Sequence, residues 1–346
     1  MFFASDNAGP VHASVIRALE AANTGYVPGY GNDALTHDVQ ARIRALFDAP
    51  DAVVHFVATG TAANSLALAT LVQPWQTVFC TAMAHIQEDE CNAPVAFMGG
   101  ATLRLVDDVQ AKLDPAALRA AIAAQGTRGI HGAQPGAVQI TQLTEKGTLY
   151  TLDEIKAVTD VAHVAGLPVH MDGARFTNAL VALGCSPAEM TWKAGIDVVS
   201  FGGTKNGLMG VEAVVIFDPA RGQEFEYRRK RGAHLFSKHR YLAAQFGAFL
   251  DDDLWLDMAR SANATTAHLA AGFAAAGHAP AYPVEGNIIF IALPRALHRK
   301  LMAAGAVYSL THGPLGDGPD DELLEARFVC DWSLPIAQVD AFLAHL

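Results

Sequence analysis

The sequence predicts an α/β fold: a large domain on a mostly parallel sheet with helices on both faces, then a smaller C-terminal α+β domain. Three observations predict it. Apolar, β-branched runs recur at 53–58, 77–81, 101–106, 136–141, 167–171, 196–201 and 211–217. Helix-spaced runs lie between most of them, at 61–72, 86–96, 114–124, 152–165 and 176–183. Strands alternating with helices favour parallel pairing. From about residue 262 the pattern changes to one helix, short strands at 287–293 and 326–330, and a final helix at 335–345.

The elements follow in order. Residues 1–12 lack periodicity and read as an N-terminal arm. Ser5-Asp6-Asn7 before Gly9-Pro10 is loop chemistry, suited to capping the next helix. Val11 to Ala22 has helical spacing at Val15, Ala18, Leu19 and Ala22. GYVPGYG at 25–31 is a loop carrying two tyrosines, and Val39 to Phe47 is helical again. A turn-rich link spans 184–195, and 220–260 reads as one long helix, first basic and then apolar. The expected boundaries are an arm at 1–12, a large domain at 13–250 and a small C-terminal domain at 251–346. A chain of 346 residues exceeds one small core.

Composition excludes several classes. Hydrophobic residues make up 51% and charged residues 17%, the balance of a well-buried globular chain. A formal net charge of −11 argues against nucleic acid as a partner. No apolar run reaches the roughly 18 residues of a membrane helix. The start, MFFASDN, has no basic residue and meets Asp6 at once, unlike a secretory signal. Cys80, Cys91, Cys185 and Cys330 form no C-x-x-C and read as reduced thiols of a cytoplasmic protein.

The chemistry gathers at strand ends. VVSFGGTKNGLMG at 198–210 is a buried strand running into a glycine-rich bend that presents Lys205. HMDGAR at 170–175 is another apolar strand, ending in Asp172. ATGTAAN at 58–64 is a strand running into a small-residue helix start, where free N–H groups and the helix dipole favour an anion. Gly60 and Thr61 open that helix. A lysine, an acid that keeps a pyridine nitrogen protonated, and a phosphate cradle are the handles needed to hold pyridoxal 5'-phosphate (PLP). Each alone has a plain alternative: a solvated lysine, a turn-forming Asp-Gly, a capped helix.

Other residues add to the pattern. Thr204 offers a hydroxyl to the phosphate. His85 follows a strand and can stack on a planar ring or move a proton near neutral pH. Asp89, four residues on, lies one helical turn away and would orient the imidazole. Arg175 can fork onto a substrate carboxylate, or pair with a nearby acid. Arg327, on a late strand of the small domain, can reach the same carboxylate across the interdomain cleft.

Taken together the chain resembles the threonine aldolases of the PLP-dependent aspartate aminotransferase superfamily (fold type I), of the low-specificity Pseudomonas type. The likeness covers nearly the whole chain. It rests on FASDN at 3–7, GYGND at 29–33, GTAANSLALA at 60–69, AHIQEDEC at 84–91, ITQLTEKGT at 140–148, HMDGARF at 170–176, WKAGIDVVSFGGTKNG at 192–207 and ARFVCDW at 326–332. The resemblance implies that Lys205 binds PLP covalently and Asp172 holds the pyridine nitrogen. Gly60 and Thr61 would cradle the phosphate, with Thr204 nearby, and His85 would stack on the ring. Ser5, Arg175 and Arg327 would bind the substrate carboxylate. No metal is implied.

One departure bears on mechanism. Many threonine aldolases carry a histidine in a THNG-like loop after the central strand, where this chain has Thr144-Glu145-Lys146-Gly147. Either Glu145 or a water held by His85 must then take the β-hydroxyl proton. The implied activity is cleavage of L-threonine, L-allo-threonine and related β-hydroxy-α-amino acids to glycine and an aldehyde. A β-eliminating lyase, an aminotransferase, a racemase or a non-enzymatic sensor can share the scaffold. The basic run YRRKRGAHLFSKHR at 227–240 and the tyrosine loop at 26–30 suggest a homo-oligomer, a dimer or dimer of dimers. There Lys238 or Arg240 would reach a neighbouring subunit's phosphate.

Overall fold

The computed structural model describes all residues 1–346. Helices α1 (Ala13–Ala22) and α2 (Ala34–Leu46) precede strand β1 (Val53–Val57) and helix α3 (Gly60–Leu71). Then come β2 (Gln76–Thr81), the short helices α4 (His85–Glu88) and α5 (Ala93–Phe97), and β3 (Thr102–Val106). A small hairpin, β4 (Asp108–Val109) and β5 (Lys112–Leu113), leads to α6 (Pro115–Ala124). Alternation continues through β6 (Gln134–Thr141), α7 (Leu152–Val164), β7 (Val169–Gly173), α8 (Phe176–Leu183), α9 (Pro187–Met190), β8 (Val198–Gly202) and β9 (Glu212–Ile216).

The large sheet has the order β1-β9-β8-β7-β6-β2-β3. β3, β2, β6, β7 and β8 are mutually parallel, and β9 pairs antiparallel with both β8 and β1. Every residue of β7, β8 and β9 is buried. Helices on both faces demand this, which is why these strands read as unbroken apolar runs. The consequence for function is directional. The carboxyl ends of β1, β2, β6, β7 and β8, and the start of β9, all meet at one edge, where open α/β sheets bind ligands.

The expected long helix at 220–260 is instead three: α10 (Gly222–Arg231), α11 (Arg240–Leu250) and α12 (Leu254–Ala275). The first break falls at Gly232 and Ala233, the latter left-handed at φ 62°. The second is at Asp252 and Asp253, φ 51° and 55°, a conformation that aspartate tolerates better than most residues. The helix expected at 86–96 is likewise split, by left-handed Cys91 and Asn92. Beyond α12 lie β10 (Ile288–Pro294), α13 (Arg295–Ala303), β11 (Ser309–Leu310), β12 (Leu323–Val329) and α14 (Ile336–Leu343). The three strands form an antiparallel sheet of order β10-β12-β11.

The arm is not loose. Phe3 donates its N–H to Val307 and accepts from Val329, 2.7 Å each, which ties it to the C-terminal sheet. Its ring is fully buried, 4.9 Å from the Phe342 ring. Helix α1 starts at His12, whose Nδ1 accepts the Ser14 N–H, so Ser5-Asp6-Asn7 is not its cap. The arm thereby carries Ser5 and Asp6 across to the edge of the large sheet. No helix is long and apolar enough to cross a membrane.

Candidate active site

A cleft of about 280 Å³ opens at the strand-end edge, and Gly60, Thr61, His85, Asp172, Thr204 and Lys205 all line it. They come from four separate strand ends. Asn64 and Glu212 line it too, and the sequence alone did not single them out.

The anion end is built by α3. Thr59 caps the helix, its Oγ1 accepting the Ala62 N–H at 3.1 Å. The Gly60 and Thr61 N–H groups precede the first intrahelical bond and have no protein acceptor. A Cβ added at Gly60 would meet nothing within 4 Å, so the space in front of the helix start is open. An exposed helix terminus with room before it is what a phosphate ester requires.

The opposite end is acidic. Asp172 accepts the Ala174 N–H at 2.9 Å through Oδ1 and the Asn64 amide at 2.8 Å through Oδ2. Burial alone would raise this carboxyl, but His85, Lys205 and the Ala174 N–H outweigh it and hold the group below the ordinary aspartate value. It is therefore a secure anion. Lys205 lies in a short turn after β8 with no ion-pair partner. Burial, then the nearby Arg175, lowers its pKa, while Asp6, Asp172 and Glu212 oppose the shift. A lysine with a lowered pKa is a better nucleophile toward a carbonyl. Open N–H groups, a free lysine and a fixed carboxylate fit a phosphorylated pyridine aldehyde.

His85 is held differently from the expectation. Its Nδ1 lies 2.8 Å from Glu90 Oε1, while Asp89 is exposed and makes no hydrogen bond to the ring. The expected Asp89 orienter is thus corrected to Glu90. Helix α4 ends at Glu88, so the i,i+4 spacing no longer applies, and the left-handed Cys91 and Asn92 turn the chain inward at Glu90. Asn64 donates to the same Glu90 oxygen at 2.8 Å, which links His85, Glu90, Asn64 and Asp172 in one buried chain of hydrogen bonds. The Glu90 contact, then Asp172, raises the His85 pKa against the effect of burial.

Glu145 is bonded to the backbone of His85. Its Oε1 accepts the His85 N–H at 3.1 Å and the Thr141 hydroxyl at 2.7 Å, and its Oε2 is buried without a partner. Burial pushes the carboxyl up to about 7, with Asp172 adding to the rise. The loop that carries it is gripped by the C-terminal segment. Lys146 Nζ lies 4.5 Å from the Phe290 ring centroid and 5.1 Å from that of Tyr282, and Leu149 donates its N–H to Glu285 at 2.8 Å.

The two arginines differ. Arg175 is forked onto Asp6, Nε to Oδ2 at 2.7 Å and Nη2 to Oδ1 at 2.9 Å. Asn287 also donates to Asp6, at 3.0 Å. Arg327 has no hydrogen-bond or ion-pair partner among the protein atoms and faces the charges of Arg175, Asp6 and Asp89. Burial, then Arg175, pushes it down to about 10. Two guanidinium groups with one counter-ion leave room for an anion. Ser5 accepts the Asn7 N–H at 3.1 Å on the same arm that supplies Asp6.

The sheet, the strand-end lysine and the aspartate define a fold type I PLP-dependent enzyme. The sequence pattern of the beta-eliminating lyase family matches residues 3–295. The low specificity L-threonine aldolase of Pseudomonas aeruginosa is 42% identical over 339 residues, 97% of this chain and 94% of that one. The low specificity L-threonine aldolase of a Pseudomonas species is 40% identical over 99% of this chain and 96% of its own. The solved structure of Leishmania major threonine aldolase superposes with a TM-score of 0.91 at 26% identity, covering 99% of this chain and 97% of that chain. Serine palmitoyltransferase from Sphingomonas wittichii shares the fold at a TM-score of 0.71 and 16% identity, over 100% of this chain and 86% of its own. This chain belongs to the beta-eliminating lyase family, within its low-specificity L-threonine aldolase group.

Proposed function

We propose that the protein cleaves L-threonine, L-allo-threonine and related β-hydroxy-α-amino acids to glycine and an aldehyde. The observation that carries this reading is the unpaired Arg327, which faces the charges of Arg175, Asp6 and Asp89, in a chain whose cofactor cleft is lined by His85 and Lys205. An amino acid held there by its carboxylate has proton-moving groups near its β-hydroxyl.

PLP, when bound, supplies the electron sink that makes breaking the Cα–Cβ bond feasible. The rest is the work of this chain. Lys205 would hold the cofactor covalently. Asp172 keeps the pyridine nitrogen protonated. Gly60 and Thr61 would bind the phosphate, with Thr204 nearby, and His85 would stack on the ring. Arg327, with Arg175 set by Asp6 and Ser5 on the same arm, fixes the substrate carboxylate and so the orientation of the Cα–Cβ bond. His85 accepts the β-hydroxyl proton at Nε2, directly or through a water, while Glu90 holds Nδ1. A second reading gives the proton to Glu145 Oε2, favoured by that atom's lack of a partner and a carboxyl near 7.

The division into an arm at 1–12, a large domain at 13–250 and a small domain at 251–346 belongs to the same proposal. The left-handed break at Asp252–Asp253 and the separate core of the C-terminal sheet support it. So does a shared active site in a homo-oligomer. An apolar groove of about 870 Å³, lined by Ile16, Leu19, Phe236 and Tyr241, continues from the cofactor cleft through Ala58, Met209 and Gly210. Tyr26 and Tyr30 are exposed, Tyr26 beside Lys238 and Arg240 and Tyr30 under Lys230. Arg240 is already bound to the carbonyl of Thr24 at 2.9 Å, which leaves Lys238 as the residue to reach a neighbour's phosphate. Four free thiols support a reducing, cytoplasmic setting.

Product analysis tests the activity. L-Threonine should give glycine and acetaldehyde in equal amounts. Ammonia with a keto acid would indicate elimination, a new amino acid with a keto acid would indicate transamination, D-allo-threonine would indicate inversion at Cα by a racemase, and no turnover would indicate a sensor.

A further inference from the structure

Glu212 is a buried acid in the cofactor cleft that the reaction does not use. It opens β9 and pairs with Val57, the last residue of β1, on one side and Gly202, the last residue of β8, on the other. The chain leaves β1 toward the Gly60–Thr61 turn and leaves β8 toward Lys205. The Glu212 side chain thus lies between the phosphate end of the cleft and the lysine. Its Oε2 accepts the Gly203 N–H at 2.7 Å, and the residue is 6% exposed and lines the cleft with Thr61 and Thr204.

An acid here conflicts with the site's charge. The helix start and the open N–H groups serve a phosphate dianion, and two anions in one water-poor cleft repel strongly. A neutral carboxylic acid removes the repulsion and adds an O–H donor. We propose that Glu212 takes up a proton when the phosphate of PLP is seated and releases it when the cofactor leaves, so that this side chain adds its own pH dependence to cofactor affinity. The groups that face it are few. Burial pushes Glu212 up to about 7 before any phosphate arrives; the Thr204 hydroxyl, the Gly203 N–H and Lys205 oppose the rise, and Asp172 adds to it. The phosphate would raise it further.

The inference rests on phosphate occupying the Gly60–Thr61 turn, and the test separates the two. PLP affinity is measured by equilibrium dialysis of the full chain, wild type and Glu212→Gln, from about pH 6 to about pH 9. Glutamine keeps the carbonyl that accepts the Gly203 N–H. The two proteins should agree within about twofold near pH 6, where wild-type Glu212 is already protonated. Above about pH 7 the wild type should weaken relative to the variant by up to about tenfold per pH unit. A wild-type to variant ratio that stays constant across the range overturns the proposal. Should the variant fail to fold, calorimetric titration of the wild type with inorganic phosphate at about pH 8, where free phosphate is already mostly the dianion, in buffers of different ionisation enthalpy, reads the coupling. Proton uptake on binding supports it. Binding without uptake overturns the role of Glu212 alone, and failure of phosphate to compete with PLP overturns both the cradle and the proton.

Discussion

Nδ1 of His85 lies 2.8 Å from Oε1 of Glu90, and the same oxygen accepts the Asn64 amide that also binds Asp172. The His85 imidazole is therefore coupled to the Asp172 carboxylate through Glu90 and one buried asparagine. A carboxylate on Nδ1 fixes the tautomer and leaves Nε2 for the substrate side.

Glu90→Gln should lower kcat by up to about 10²-fold. The direction of its pH effect follows from the charge. Glu90 raises the His85 pKa, so removing it lowers that pKa and moves the limb of the pH–rate profile controlled by His85 toward acid. Asp89→Asn should leave that limb in place. Equal shifts from both variants would mean that Glu90 is not the partner that matters.

The base is decided by two other variants. His85→Asn should reduce threonine cleavage by about 10²–10⁴-fold while the cofactor spectrum survives, with weaker PLP binding from lost stacking. Glu145→Gln should be much milder if His85 takes the proton. A Glu145 carboxylate acting as base would instead give activity that rises through about pH 7, and Glu145→Gln would abolish that rise. A crippled Glu145→Gln beside a near-normal His85→Asn assigns the proton to the carboxylate.

The two arginines should fail in different ways. Arg327 has no partner to orphan, so Arg327→Ala should cost about 10- to 150-fold in kcat/KM, the loss of one charge-assisted hydrogen bond of roughly 1.5–3 kcal/mol, with the melting temperature little changed. Arg175→Ala should lose activity and also stability, because it leaves the buried Asp6 carboxylate without its counter-ion, a loss of about 3–5 kcal/mol in comparable pairs. Thermal melts of the two variants, run beside the kinetics, check this. Equal melting temperatures would show that the Asp6 pair does not hold the arm.

The residues that proved easy to find are those that punctuate a strand. Lys205, Asp172 and Gly60 each follow an apolar run, and the run itself tells the reader that a sheet edge is near. Asn64 and Glu212 were missed because a polar residue inside a helix or strand carries no local mark of burial. The Arg175–Asp6 pair joins residues 169 positions apart, and periodicity has nothing to say at that range. Asp89 reads as the orienter because a continuous helix from His85 would put the fourth residue beneath it. The helix stops after one turn at left-handed Cys91 and Asn92, and spacing does not reveal a non-glycine residue at positive φ. The same blindness merged α10, α11 and α12, since Asp251-Asp252-Asp253 looks like a helical charge run until two of its members turn left-handed.

The cofactor site itself is tested most directly by borohydride reduction of the purified protein followed by peptide mapping. The yellow cofactor should become fixed to the peptide that contains Lys205, and Lys205→Ala should neither retain the label nor cleave threonine. Label on any other lysine, Lys146 or Lys238 included, would contradict the assignment of this cleft as the PLP site.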